Sequence, residues 1–255
     1  MRWVVAVITA VLAAGCASPV RSGLAPEPEH PSSSPASTST PAERLPLAGH
    51  TIVIDPGHQL GNGAHASEIN RPVDAGGFAK ACNTTGTATN AGYPEATFTW
   101  EIARLLRREL RRRGATARMT RSTNSSEDWG PCIDERGRAA RHGDLLLSLH
   151  ADGSLAADAR GFHVISRPDD PRSAQLARDV RAGLLAVGLE SSTYTGDDGL
   201  VTRSDLGTLN LSPRPAIMVE LGNMRDDGDA RLMSSPEGRR KYAAGLLRGV
   251  RRYLR

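Results

Sequence analysis

The sequence predicts an α/β domain built around a largely parallel sheet, and three observations carry that prediction. Short apolar runs bounded by turn or polar residues recur at Thr51–Ile54, Leu145–Leu149, Gly161–Ser166 and Ala216–Val219. Three of them lack the polar alternation of a half-solvated strand, as strands buried on both faces do. Apolar stripes at helical spacing lie between the runs, so strands alternate with helices. Roughly the first 50 residues differ in composition from the rest, which leaves about 205 to fold, the size of a single domain.

At the N-terminus Met1-Arg2 is a minimal basic region, Trp3–Ala14 is apolar, and Ala13-Ala14-Gly15 offers the small residues of a cleavage site. Residues 1–15 therefore read as an export signal, and the apolar stretch is too short to span a bilayer. Cys16 after Leu12-Ala13-Ala14-Gly15 resembles the lipidation box of bacterial lipoproteins, although Leu12 stands one position further from the cysteine than is usual. Residues 16–47 then hold the lipidation site and a Pro-, Ser- and Thr-rich stretch without apolar periodicity, expected to be a flexible tether. The folded domain is expected at 48–255. If Cys16 is consumed by lipid, Cys82 and Cys132 remain, and an even remainder in an oxidising compartment points to one disulfide.

Thr51–Ile54 opens the domain. The segment Gly57–Gly92 is long, glycine-rich and weakly periodic; loops of that length in compact domains are usually functional, so it is expected to wall a groove and to be pinned by Cys82. Phe98, Ile102, Leu105, Leu106 and Leu110 then mark a helix that Gly114 is placed to end. Ala115–Thr120 is a weaker fifth strand, and Cys132–Arg141 a shorter helix. After the next two strands, Leu176, Val180, Leu184 and Val187 form a second stripe before Gly188. The last helix runs from Pro236 to the end, with Ser235 as N-cap, Pro236 at the first helical position, and Tyr242, Leu246, Val250 and Tyr253 on one face.

Composition narrows the class. With 39% hydrophobic and 24% charged residues, neither a wholly disordered chain nor a polytopic membrane protein fits. The 32 basic residues against 28 acidic ones give a formal charge of +4, far from the balance of a nucleic-acid binder. The arginine-rich helices, such as Arg107, Arg108 and Arg111–Arg113, read as solvated faces because acids lie among them. There is no G-x-S-x-G elbow, no P-loop and no G-x-G-x-x-G, so a serine hydrolase and a nucleotide binder are both disfavoured.

The chemistry lies at strand ends. Ile52-Val53-Ile54 leads into Asp55-Pro56-Gly57-His58, the run from Leu145 ends at His150-Ala151-Asp152, and Ile217-Met218-Val219 ends at Glu220-Leu221-Gly222-Asn223. In an open parallel sheet the ligand crevice lies beyond the C-terminal ends of the strands, so these side chains can converge. Two imidazoles and a carboxylate form a catalytic zinc set with a fourth position for water, and a further carboxylate is then needed as base. Glu220 and Glu95 compete for the two carboxylate roles, and spacing does not separate them; Asp55, Asp152 and His65 are further candidates on raw chemistry. Each has a bland alternative: a strand-end histidine as a structural hydrogen-bonding residue, Glu220 as a cap or salt bridge, Glu95 as a helix-start acid favoured by the macrodipole. His30, His50, His142 and His163 are left as structural or solvent-facing.

These residues resemble a family, the zinc-dependent N-acetylmuramoyl-L-alanine amidases of bacterial cell-wall turnover, and within it the small mycobacterial-type enzymes. The resemblance rests on Val53-Ile54-Asp55-Pro56-Gly57-His58, on Glu95 opening a helix followed by Met119-Thr120-Arg121, on Ser148-Leu149-His150-Ala151-Asp152, and on Val219-Glu220-Leu221-Gly222-Asn223. Gly92-Tyr93-Pro94-Glu95, Gly130-Pro131-Cys132 and Arg203-Ser204-Asp205-Leu206 are also similar. It implies a single domain with a sheet of about six strands, His58, Glu95 and His150 as zinc ligands, Glu220 as the catalytic carboxylate, and a Cys82–Cys132 disulfide.

The implied reaction is hydrolysis of the amide between N-acetylmuramic acid and L-alanine in peptidoglycan or its fragments. The expected setting is an exported monomer in the cell envelope, touching the membrane only through a lipid anchor and binding no nucleic acid. Such relatives often carry wall-binding repeats, and none is seen here. A zinc peptidase acting on stem peptides and an inactive wall-binding regulator are the rival readings.

Overall fold

The computed structural model describes residues 45–255, and the apolar runs become its strands. In chain order they are β1 (Thr51–Pro56), a 3-10 turn at Leu60–Ala64, α1 (Ala66–Asn70), β2 (Pro72–Asp74), β3 (Ala79–Ala81), α2 (Glu95–Arg111), β4 (Thr116–Met119), α3 (Ile133–Arg138) with a 3-10 turn at Ala139–His142, β5 (Leu145–Asp152), β6 (His163–Ser166), α4 (Pro171–Leu185), β7 (Leu200–Thr202), α5 (Gly207–Asn210), β8 (Ala216–Asn223), α6 (Asp227–Ser234) and α7 (Pro236–Tyr253). Six strands form one sheet in the order β4-β1-β5-β8-β6-β7. The first four run parallel; β6 is antiparallel to β8, and β7 is parallel to β6.

Every second residue of these strands points to the same face, and the two faces are buried differently. On the back, Ile52, Ile54, Leu145, Leu147, Leu149, Ile217 and Val219 join Phe98, Ile102 and Leu106 of α2, Leu176 and Val180 of α4, and Leu246 and Val250 of α7 in one continuous core. Each such side chain contributes about 1.5–3 kcal/mol on leaving water. On the front, Val53, Leu146, Ile165 and Ala216 form a smaller cluster with Ala140 of the 3-10 turn and Leu209 of α5. Two-sided burial is why the strands read as unbroken apolar runs.

Helix ends follow local chemistry. Asp170 caps α4, accepting from the backbone N–H groups of Arg172 and Ser173, with Pro171 at the first position. Ser235 Oγ accepts from Gly238 N at 2.9 Å at the start of α7, as the sequence predicts.

The structure departs from the sequence reading in several places. Leu47, assigned to the tether, is 2% exposed in the main core and donates its N–H to Arg113 O, so the folded unit begins before residue 48. Segment 57–92 is more structured than its weak periodicity implies, holding α1 and the two-stranded β2–β3 sheet. The Cys82–Cys132 disulfide ties it to the start of α3, reinforced by Ile133 N donating to Cys82 O at 2.7 Å. The short β7, α1, α5 and α6 carry too few residues for a readable period. The proposed export signal, Cys16 and most of the proposed tether lie outside the described residues.

Candidate metal centre

The ends of β1, β5 and β8 lie side by side, and the side chains at those ends meet. His58 follows β1 through Gly57, with φ of +61°, a left-handed conformation that costs a non-glycine residue free energy and persists only where surroundings enforce it. Here Gly57 N donates to Leu149 O at 2.9 Å, and His58 Nδ1 lies 3.0 Å from Thr84 O. A Cβ at Gly57 would run into the His150 imidazole, so glycine is what lets the two histidines approach, their ring centroids 4.8 Å apart and edge-on.

Glu95 is the first residue of α2, yet it does more than complement a helix dipole. Its Oε1 lies 3.1 Å from His58 Nε2 and 3.0 Å from His150 Nδ1 and accepts from Ala151 N. Its Oε2 accepts from Thr87 N at 3.0 Å. Gly86, at φ +76°, fits against both Glu95 and His58 where a side chain would collide. One donor atom from each of His58, Glu95 and His150 falls within 4.8 Å of the other two, and all three residues are buried.

The donor set fits zinc. Two imidazoles and a carboxylate are a hydrolytic zinc set, and Thr84 O engages Nδ1 of His58, leaving its Nε2 toward Glu95, the orientation an outer partner gives a ligating histidine. Burial lowers the pKa of His150, which keeps the ring neutral as a ligand requires. Burial alone would push the Glu95 carboxyl up, but the two imidazoles against it hold it well below the ordinary range.

Behind this group stands an ion pair between Asp55, a candidate from raw chemistry, and an arginine that sequence reasoning gave no role. Arg136 of α3, buried, donates to both oxygens of Asp55 at 2.8–3.1 Å and lies 2.9 Å from His150 Nε2. Asp55 also accepts from Thr120 and Ser148 hydroxyls at 2.6 and 2.7 Å. Desolvation raises the Asp55 carboxyl, and Arg136 with these hydroxyls outweighs it, holding the pKa at about 2. Asp55 is therefore a buttress beneath the site. Asp152 is engaged by Tyr194 Oη at 2.7 Å, and His65 lies against Glu127 O and Glu68 at the rim of the loop. His50 and His142 stay toward solvent.

Glu220 belongs to a different position. It is the β8 residue paired with His150 of β5, largely buried as a residue, with its Oε2 buried and unpartnered. Burial pushes its pKa well above the ordinary carboxylate value, the charges of Glu95 and Asp152 add to that, and Arg203 opposes it. Two neighbouring carboxylates are thus driven apart, one held ionised and one ready to hold a proton, the pattern that separates ligand from acid/base duties. The front cavity, about 170 Å³, opens beside His58 and His150 and is walled by Lys80, Asn83 and Thr84 from the long loop.

The N-acetylmuramoyl-L-alanine amidase family profile matches residues 52–252. The chain is 44% identical over 228 residues to the Mycobacterium tuberculosis N-acetylmuramoyl-L-alanine amidase Rv3717, covering 86% of this chain and 91% of that one. The crystal structure of the N-acetylmuramyl-L-alanine amidase Ami1 from Mycobacterium smegmatis superposes with a TM-score of 0.77 at 40% identity, covering 82% of this chain and 98% of that one. Apo Ami1 from Mycobacterium abscessus gives the same TM-score at 42% identity, with 82% and 100% covered. The sheet, its flanking helices and these relatives agree, and the chain belongs to the N-acetylmuramoyl-L-alanine amidase family of cell-wall hydrolases.

Proposed function

We propose that this amidase is zinc-dependent, with His58, Glu95 and His150 holding the ion and Glu220 moving the proton. The observation that supports it is the convergence of those three donors within 4.8 Å. A zinc ion bound there supplies Lewis acidity for the scissile carbonyl and lowers the pKa of bound water. Glu220, with its raised pKa, takes the proton of the attacking water and delivers it to the departing L-alanine nitrogen, without which an amine leaves poorly. Arg136 and Thr84 fix the two imidazoles. The loop residues Lys80, Asn83 and Thr84 narrow the cavity that receives the substrate.

The same reading extends to the cell. The substrate is peptidoglycan or its muropeptide fragments. Residues 1–15 direct export, Cys16 carries a lipid anchor, and residues from 17 to the start of the fold tether a monomeric domain to the envelope. No helix among the described residues is long and apolar enough to cross a membrane.

Digestion of purified peptidoglycan and of muropeptides, with and without chelator, tests the proposal. Free stem peptides beginning with L-alanine, lost on chelation and restored by zinc, are the expected result. Shortened stems still attached to sugar would replace it with a peptidase. Bound zinc without hydrolysis would replace it with a wall-binding regulator.

A further inference from the structure

The reversal of β6 brings one more side chain to the site. Because β6 runs antiparallel to β8, its first residue lies where the other strands end, and His163 pairs with Glu220 across the ladder. Glu220 also pairs with His150 on its other side. His150, Glu220 and His163 therefore form a lateral row on one face of the sheet, with the carboxylate in the middle and cross-strand Cβ separations of about 4.5–5.5 Å.

Among the described residues no side chain or backbone group hydrogen-bonds to Glu220 Oε2. Its neighbours are mostly committed. His150 is engaged by Glu95 and Arg136, and Arg203 forms a two-point pair with Asp205 at 2.7–2.8 Å. His163 is not committed: it is 5% exposed, and its Nδ1 is buried without a partner. Two buried polar atoms without partners on directly paired residues, one able to donate and one to accept, complement each other, since each unmet group inside a protein carries a desolvation penalty that a shared or water-bridged hydrogen bond removes. Tyr194 packs edge-on against the His163 ring at 6.0 Å and is itself held through its hydroxyl by Asp152, so the imidazole is braced from behind. Burial lowers the His163 pKa to about 4, so at neutral pH the ring is uncharged and has one N–H to donate.

We propose that His163 is the positioning residue for Glu220, donating its imidazole N–H to the buried carboxylate oxygen through one bridging water, so that the other oxygen stays aimed at the reacting atoms. The role rests on Glu220 being the proton carrier of the reaction proposed above. It makes Tyr194 and Asp152 the support of the imidazole.

The test uses His163→Phe, which keeps the ring's size and removes its nitrogens, and His163→Gln, which keeps a donor. Expected for His163→Phe are a kcat lower by about 10–100-fold, the value of one hydrogen bond to a charged group, a KM within about twofold of wild type because the contact acts in the transition state and not in substrate binding, unchanged zinc content and an unfolding temperature no lower than wild type. His163→Gln recovers part of the lost kcat. In a Glu220→Gln background His163→Phe costs no further activity, because both changes act through one group. A full kcat in His163→Phe, or an equal loss in both backgrounds, overturns the role. An arm independent of turnover follows the His163 ring N–H by NMR: a low-field hydrogen-bonded proton present in wild type and lost in Glu220→Ala, which removes the acceptor, supports it, and a signal identical in the two proteins overturns it. Failure of wild type to release L-alanine-terminated peptides would instead strike the amidase chemistry assigned to the site, and the NMR arm would still decide the contact.

Discussion

The back and front of the sheet are made by the same strands, one residue out of phase, and they do opposite work. On the back, Ile54, Leu147 and Val219 are fully buried among apolar side chains from α2, α4 and α7. On the front, the alternating residues begin apolar at Val53, Leu146 and Ala216 and turn polar toward the strand ends, through Asp55, Ser148 and His150 to Glu220. The back can bury everything because nothing on it must react. The front keeps ionisable groups away from water, and each such group there has a partner or a strained, desolvated position. Stability is concentrated on one face and the candidate site on the other, one residue from it along the same strand.

The largest expected separation of the faces comes from Glu220→Gln. Turnover should fall by about 10³-fold, within the range for a lost general acid/base, while zinc content stays at wild-type level and thermal stability does not drop. Parallel loss of metal would place Glu220 among the ligands and blur the division. On the back, Leu246→Ala in α7 should cost about 3 kcal/mol of stability through the cavity it leaves and should leave kcat unchanged wherever the protein remains folded. Denaturant titration beside a turnover assay reads both quantities.

Asp55 lies on the boundary, a front-face group whose partners are structural. Its pKa of about 2 in the fold, against an ordinary 3.8, means that its ionised form stabilises the native state above about pH 4 and that this contribution, about 2 kcal/mol, is lost as pH falls from 4 through 2. Unfolding free energies measured along that interval should decline in wild type and decline less in Asp55→Asn. The smallest effect belongs to Ser235→Ala at the start of α7: about 1 kcal/mol from one lost cap, read as a lower unfolding midpoint with no change in activity.

Much of this was legible in the chain. Thr51–Ile54, Leu145–Leu149 and Ala216–Val219 announce buried strands because both faces are covered, and Ser235-Pro236 announces a helix start because capping is local. His58, His150 and Glu220 could be grouped because parallel strands present their C-terminal ends together. Arg136 escaped notice because an arginine on a six-residue helix looks solvated until Asp55 is known to lie beneath it. His163 escaped for a different reason: it begins its strand, and only a reversed strand brings a beginning to the active edge.

By itself the sequence determined the α/β class, the order of the main elements and the residue types available for chemistry, because periodicity and caps act over a few residues. Only the tertiary structure decided which carboxylate meets both histidines, which buried arginine backs His150, and that β6 runs against its neighbour. Those facts depend on groups tens of residues apart being brought within about 3 Å, the reach of a hydrogen bond, and no local pattern encodes that distance.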